Sequence, residues 1–262
     1  MALTGRESLF TDSGWSRAQN TAYDRGRKRC SMQSYASSTA IPKGYRGMGM
    51  NGALARWYAA TTRKSLSEFE QLARRVAGEI SPGASVLEVA PGPGYFAIEL
   101  AKLGGYHVTG LDISETFVEI AQRNAARAGV KADFRHGNAS HMPFDAEQFD
   151  YVVCRAAFKN FSEPLAALQE MYRVLKPGGL VLIIDMRGDA TPESMKQAAA
   201  ELKTGALNRT FIYLTFRCML VKRAYTRAEF DRMIGLTRFC PLDIQETLIG
   251  FEILLGKPRS KT

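Results

Sequence analysis

Apolar and polar positions alternate along this chain at two spacings, and from about residue 48 the spacings take turns. Ala53 to Thr61, with Trp57 and Tyr58, predicts a short helix. Leu66, Phe69, Leu72, Ala73, Val76, Ala77 and Ile80 then recur at helical intervals and form one apolar stripe. Ser81-Pro82-Gly83 punctuates the chain. Ser85 to Ala90 is a short, β-branched strand, and Gly94 to Leu103 is helical. Tyr106 to Leu111 is the next strand, after which Ser114 is placed to cap a helix carrying Phe117, Ile120, Ala121 and Ala125. Lys131 to His136 and Phe149 to Cys154 are two further strands. Pro164 opens a helix at a position where its missing N–H costs nothing. Lys176-Pro177-Gly178-Gly179 stops that helix, and Leu180 to Asp185 is a fifth strand. Thr226-Arg227-Ala228-Glu229 has capping-box spacing, and Asp243 to Leu255 reads as two strands joined near Ile249-Gly250.

Strands alternating with helices require crossover connections, so the expected class is α/β. The sheet should be parallel and covered by helices on both faces. Residues 188–225 interrupt the alternation with a mixed, basic, aromatic insert. Residues 1–47 lack any sustained apolar period and read as a flexible extension, because a segment that buries little apolar surface cannot offset its ordering entropy. Residues 48–262 are then one domain.

Composition narrows the field only a little. At 262 residues, 45% hydrophobic and 23% charged, the chain is an ordinary globular protein rather than a fibrous or disordered one. The net charge of +9 is uneven. Residues 1–47 hold eight basic and three acidic side chains, and residues 203–232 hold seven and two. The remainder is near neutral, which favours capture of an anionic group or targeting over a continuous nucleic-acid track. Cys30, Cys154, Cys218 and Cys240 form no C-x-x-C pair, so neither a disulfide framework nor a zinc site is suggested. No metal is expected. A cytoplasmic location is the default, with mitochondrial targeting by the Arg- and Ser-rich start as a lesser option. No stretch is long enough to span a membrane.

The chemistry-bearing stretch is Glu88-Val89-Ala90-Pro91-Gly92-Pro93-Gly94, where a strand ends, a Gly/Pro turn follows and a helix begins. Such a turn lets the backbone approach a nucleotide-like ligand. The third Gly that a pyrophosphate would want is missing. Further along come Gly110-Leu111-Asp112, then Gly137-Asn138-Ala139 with Met142-Pro143-Phe144. Phe149-Asp150-Tyr151-Val152-Val153 and Arg173-Val174-Leu175-Lys176-Pro177-Gly178-Gly179 complete the series. In this order the motifs resemble those of class I S-adenosylmethionine-dependent methyltransferases of the small-molecule type.

The resemblance implies a Rossmann-like, seven-stranded, doubly wound sheet ending in an antiparallel hairpin. It also implies S-adenosyl-L-methionine as cofactor. By position it assigns Gly92 and Gly94 to the methionine part, Glu88 to its ammonium group and Asp112 to the ribose. Ile113 would pack on the adenine. Asn138 stands where the family usually has Asp, and Ala139 would offer its N–H. Arg155 follows the fourth strand, where cofactor or substrate contacts occur. Ala90 replaces a usual Gly, which asks for a backbone outside the left-handed region there. Met142 and Phe144 read as packing more than as adenine contacts.

For the acceptor, Cys154-Arg155-Ala156-Ala157 stands where adenine- and protein-N-methylating members carry N/D-P-P-Y/F, which argues against DNA. Lys159 is a candidate base or anion anchor, with a solvated loop lysine as the plainer alternative. Tyr45 is the other catalytic candidate. Two segments could roof the pocket. One is Tyr45 to Tyr58, including Trp57; the other is the 188–225 insert with Phe211, Tyr213, Phe216 and Tyr225. Arg187, Arg209, Arg217, Lys222 and Arg223 could hold an anionic group. The leading expectation is methyl transfer to O, N or C of a small molecule in specialised metabolism. A non-methylating enzyme on the same scaffold and an RNA methyltransferase are the alternatives. A homo-oligomer is possible.

Overall fold

The computed structural model describes residues 51–63, 66–201, 213–214 and 221–259. The readings for residues 1–47, Tyr45, Arg209, Phe211, Phe216 and Arg217 lie outside these. The strands are β1 (Ser85–Val89), β2 (His107–Asp112), β3 (Asp133–His136), β4 (Phe149–Arg155), β5 (Leu175–Met186), β6 (Cys240–Glu246) and β7 (Gly250–Gly256). They form one seven-stranded sheet in the order β3-β2-β1-β4-β5-β7-β6. β1 to β5 pair in parallel, and β7 runs antiparallel to both β5 and β6.

The helices are α1 (Gly52–Thr62), α2 (Leu66–Ala77), α3 (Tyr95–Lys102), α4 (Glu115–Ala128), α5 (Pro164–Val174), α6 (Pro192–Glu201) and α7 (Arg227–Gly235). One face of the sheet is covered by apolar residues of α2, α3 and α4, among them Phe69, Leu72, Phe96 and Val118. The other is covered by α5 and α7 through Leu168, Met171, Phe230 and Met233. The doubly wound α/β expectation therefore holds.

Local chemistry explains the helix starts. The Ser114 hydroxyl accepts from the Phe117 N–H, and Thr226 with Glu229 completes both halves of a capping box. α5 begins on Pro164. The fifth strand starts earlier than expected, at Leu175, because the Lys176-Pro177-Gly178-Gly179 segment already runs along the sheet. Tyr225, expected at a lid, is instead core: its ring meets those of Phe158 and Phe230 edge-on. The cysteine reading is corrected at one position. Cys154 is free and buried, whereas Cys240 is disulfide-bonded. Wide spacing along a chain carries no cue to such pairing.

Candidate active site

The strand order reverses between β1 and β4: the chain builds outward through β2 and β3, then returns to add β4 and β5 on the other side. Ligands of open α/β sheets sit in the crevice that this reversal opens at the carboxyl ends of the strands. The Gly/Pro turn lies there, after β1. Gly92 has φ 55° and Gly94 has φ 77°. A Cβ on Gly94 would fall 2.7 Å from the Phe134 ring and 2.9 Å from Ala121 Cβ, so both conformation and space demand glycine.

Ala90 corrects the sequence reading. Its φ is 56°, squarely left-handed. The turn out of β1 needs that geometry even without glycine, and the Ala90 N–H holds it by donating to the Leu111 carbonyl at 2.8 Å. An L-residue there stores strain.

Two buried carboxylates flank the turn. Glu88 Oε2 accepts the Ala97 N–H at 3.0 Å. Burial pushes the Glu88 carboxyl up to about 8, against smaller lowering effects from that hydrogen bond and from Arg155. Asp112 ends β2. Its Oδ2 accepts from Gly92 N at 2.9 Å and its Oδ1 from Ser114 N at 2.8 Å. Burial raises the Asp112 carboxyl as well, with the Ser114 and Gly92 N–H groups opposing. One side chain thus ties the glycine turn to the start of α4. Beside it Ile113 is 69% exposed, a large apolar side chain left at the mouth of the crevice.

The remaining candidates line the same rim. Asn138 is exposed after β3, and its Oδ1 accepts the Ser140 N–H at 2.9 Å, which shapes the loop. Ala139 is partly buried against the core. Arg155 ends β4. Its Nη2 donates to Glu68 Oε2 at 2.8 Å, and its guanidinium lies 4.4 Å from the centre of the Phe69 ring. It ties α2 to the rim.

Lys159, a candidate base or anion anchor, is not the solvated loop lysine of the plainer alternative. Its Nζ donates to Asp185 Oδ1 at 2.7 Å and to the Ala156 carbonyl at 2.6 Å, with only 5% and 1% of the two side chains exposed. Asp185 Oδ2 also accepts the Lys159 N–H at 2.8 Å. The pair staples the loop after β4, including Ala156 at φ 57°, to the end of β5. Arg187 is similarly engaged, with Asp189 and Glu246, each at 2.7 Å.

Sequence reasoning missed one clamp. Arg173 donates to the Met142 and Phe144 carbonyls, and its partner Glu170 accepts the Met142 N–H at 2.7 Å. The loop after β3 is therefore fixed by α5. The i, i+3 spacing of Glu170 and Arg173 was a signal, but only for a local ion pair. Met142 and Phe144 are buried, as packing would have it.

α1 closes over this rim. Asn51 Oδ1 accepts the Ser114 hydroxyl at 2.7 Å, and the Gly52 N–H reaches Thr116 Oγ1 at 3.1 Å. The Tyr95 hydroxyl donates to the Ala59 carbonyl at 2.8 Å. Tyr58 meets the Phe117 ring edge-on, next to Gly92.

A glycine turn, a buried acid at the end of β2 and an exposed apolar neighbour lie together at the topological switch point of the sheet. In comparison with known proteins, residues 87–183 match the methyltransferase domain family model. Over those residues the chain resembles a methyltransferase domain. The fold around them is that of the class I S-adenosylmethionine-dependent methyltransferases. A Methanococcus maripaludis protein described as a candidate S-adenosylmethionine-dependent methyltransferase superposes with TM-score 0.64 at 20% identity, over 84% of this chain and 100% of that one. The cyclase SpnF shares the fold at TM-score 0.50 and 19% identity, over 73% of this chain and 81% of its own. In sequence, the chain is 38% identical over 109 residues to the demethylmenaquinone methyltransferase of Listeria monocytogenes serotype 4a. That match covers 40% of this chain and 46% of the relative, so the chain spans about half the length of the curated relatives it matches.

Proposed function

We propose that this chain transfers a methyl group from S-adenosylmethionine to a small-molecule acceptor. The observation that carries the reading is the pairing of buried Asp112 with exposed Ile113 directly across from the glycine turn. A carboxylate oxygen that accepts one N–H keeps a lone pair for a ribose hydroxyl. Ile113 would cover one face of the adenine, and the backbone at Gly92 and Gly94 would let the methionine part approach. Glu88 would meet the ammonium group. Asn138 and Ala139 would border the adenine edge, and Arg155 would hold the rim near Glu88.

When bound, the cofactor supplies an electrophilic methyl group on a sulfonium sulfur. The protein's share is alignment of the acceptor and exclusion of water. Lys159 contributes by fixing the loop after β4 through Asp185, a positioning role rather than that of a base. The small-molecule reading draws on the relatives named demethylmenaquinone methyltransferases and on the absence of N/D-P-P-Y/F after β4.

Calorimetry with S-adenosylmethionine and S-adenosylhomocysteine tests the site. Saturable, one-to-one uptake is expected, and no uptake refutes it. Formation of S-adenosylhomocysteine in the presence of candidate acceptors tests the chemistry. Release of 5′-methylthioadenosine instead would replace methyl transfer by attack on the aminocarboxypropyl chain.

A further inference from the structure

α1 has two faces of opposite use. Ala55 and Ala59 are buried against Phe117 and Ile120 of α4, with Tyr58 packed beside them. The outward positions are Ala53, Leu54, Trp57, Ala60 and Thr61, all exposed. They fall at i, i+1, i+4, i+7 and i+8, one continuous helical stripe. Trp57 is 63% exposed and Leu54 37%, so an aromatic and an aliphatic side chain stand one turn apart on the outside of the molecule. Scattered exposed apolar residues are normal; a stripe on one helix with an outward Trp is not.

Charge says what covers this stripe. Arg56 and Arg63 flank it, both exposed. The surrounding sequence holds no Asp or Glu from residue 25 to residue 67, while nine Lys or Arg occur there: Arg25, Arg27, Lys28, Arg29, Lys43, Arg46, Arg56, Arg63 and Lys64. A basic, acid-free segment that presents Trp and Leu together matches an anionic bilayer surface, where Trp sits at headgroup level and Arg meets phosphate. A nucleic-acid face would supply the charge but gives no reason for the outward Leu54 and Ala53. Among the described residues no helix is long and apolar enough to cross a membrane.

We infer that the outer face of α1 docks the protein on an anionic membrane surface. Its inner face meets the glycine turn through Tyr58 and Tyr95, so docking sets the rim of the cofactor crevice next to the bilayer. On the proposed methyltransferase reading, which this consequence rests on, acceptors dissolved in the bilayer come within reach of the site.

The test uses the full chain without cofactor, in sedimentation with vesicles of phosphatidylcholine alone and of phosphatidylcholine with phosphatidylglycerol. Binding to the anionic vesicles at low salt is expected, weakening as salt rises. In a Trp15→Phe background, Trp57 emission should shift to the blue on binding. Trp57→Ala with Leu54→Ala keeps helix-forming residues on the outward face and should cut binding about tenfold, and Arg56→Gln and Arg63→Gln should cut it roughly fivefold each. Circular dichroism and S-adenosylmethionine calorimetry of each variant confirm that fold and cofactor site persist. Absence of binding to anionic vesicles at low salt overturns the proposal. So does binding that ignores Trp57 and Leu54, retention of RNA in place of vesicles, or a dimer that those substitutions dissolve. Cofactor binding is read separately, so failure of docking leaves the methyltransferase reading standing, and the reverse.

Discussion

The two sides of the crevice bury charge in opposite ways. On the β1/β2 side, Glu88 and Asp112 are buried among backbone N–H donors, and burial raises both carboxyls. On the β4/β5 side, Asp185 is buried to the same depth but closed on Lys159 at 2.7 Å. A buried carboxylate with a full cation partner is finished structure. One held only by N–H groups keeps desolvation cost that a ligand's hydroxyl or ammonium can offset. The contrast separates the binding side of the site from its scaffold better than residue type does, since a sequence reading favours the lysine as the chemist.

The comparison breaks most visibly at the scaffold side. Lys159→Met leaves Asp185 buried with two backbone N–H donors but no cation, and should cost about 3–5 kcal/mol in urea unfolding. The double variant Lys159→Met with Asp185→Leu should recover most of that loss, because neither buried charge remains. If the single variant is as stable as the parent, the pair is not the staple described here. On the β1/β2 side, Asp112→Ala removes the acceptor proposed for the ribose and should weaken cofactor affinity about 10- to 100-fold by calorimetry, at roughly 1.5–3 kcal/mol for a charged hydrogen bond. Asp112→Asn, which keeps an oxygen in place, should fall between. Equal affinities would remove Asp112 from the site.

Much of this difference was hidden from the sequence for a physical reason. The alternation of strand and helix, the Ser114 cap and the Thr226–Glu229 capping box are local, and their signals lie within a few residues. So is the turn from Glu88 to Gly94. Lys159 and Asp185 meet because the register sets Arg155 beside Ile184, which brings the turn after β4 onto the end of β5. Nothing in either segment states that register. Residue preference puts Ala90 outside the left-handed region, whereas the exit from β1 sets the backbone there and the residue tolerates it. Arg187 seemed available for an anion until the fold supplied Glu246 from β6.

Glu88 sharpens the comparison through protons. With burial pushing its carboxyl from an ordinary 4.5 up to about 8, the protonated form is favoured at neutral pH in the free protein. An ammonium group seated beside it favours the carboxylate, so cofactor binding at neutral pH should release a proton and tighten as pH rises toward 8. Calorimetry in two buffers of different ionisation enthalpy reads that release directly. Glu88→Gln should abolish both the release and the pH dependence. The same shift fixes a sign for stability. Between 4.5 and about 8 the folded chain holds more protons than the unfolded one, so stability falls as pH rises through that window. The fall should be smaller in Glu88→Gln.

The smallest effect tests whether the two rims are strained alike. Ala90 on the binding side and Ala156 on the scaffold side share the left-handed conformation, at φ 56° and 57°. Glycine relieves about 1–2 kcal/mol of left-handed strain. It returns about 0.5–1 kcal/mol through the freer unfolded chain. Ala90→Gly should therefore raise the unfolding midpoint by a degree or two. Ala156→Gly should do the same only if the Lys159 hydrogen bond to its carbonyl survives, because that bond, and not the residue, holds the turn. A stabilised Ala90→Gly beside an unchanged Ala156→Gly would place the strain on the cofactor side alone, and a loss of cofactor affinity in Ala90→Gly would show that the rigidity of the turn, rather than its shape, is what the site uses.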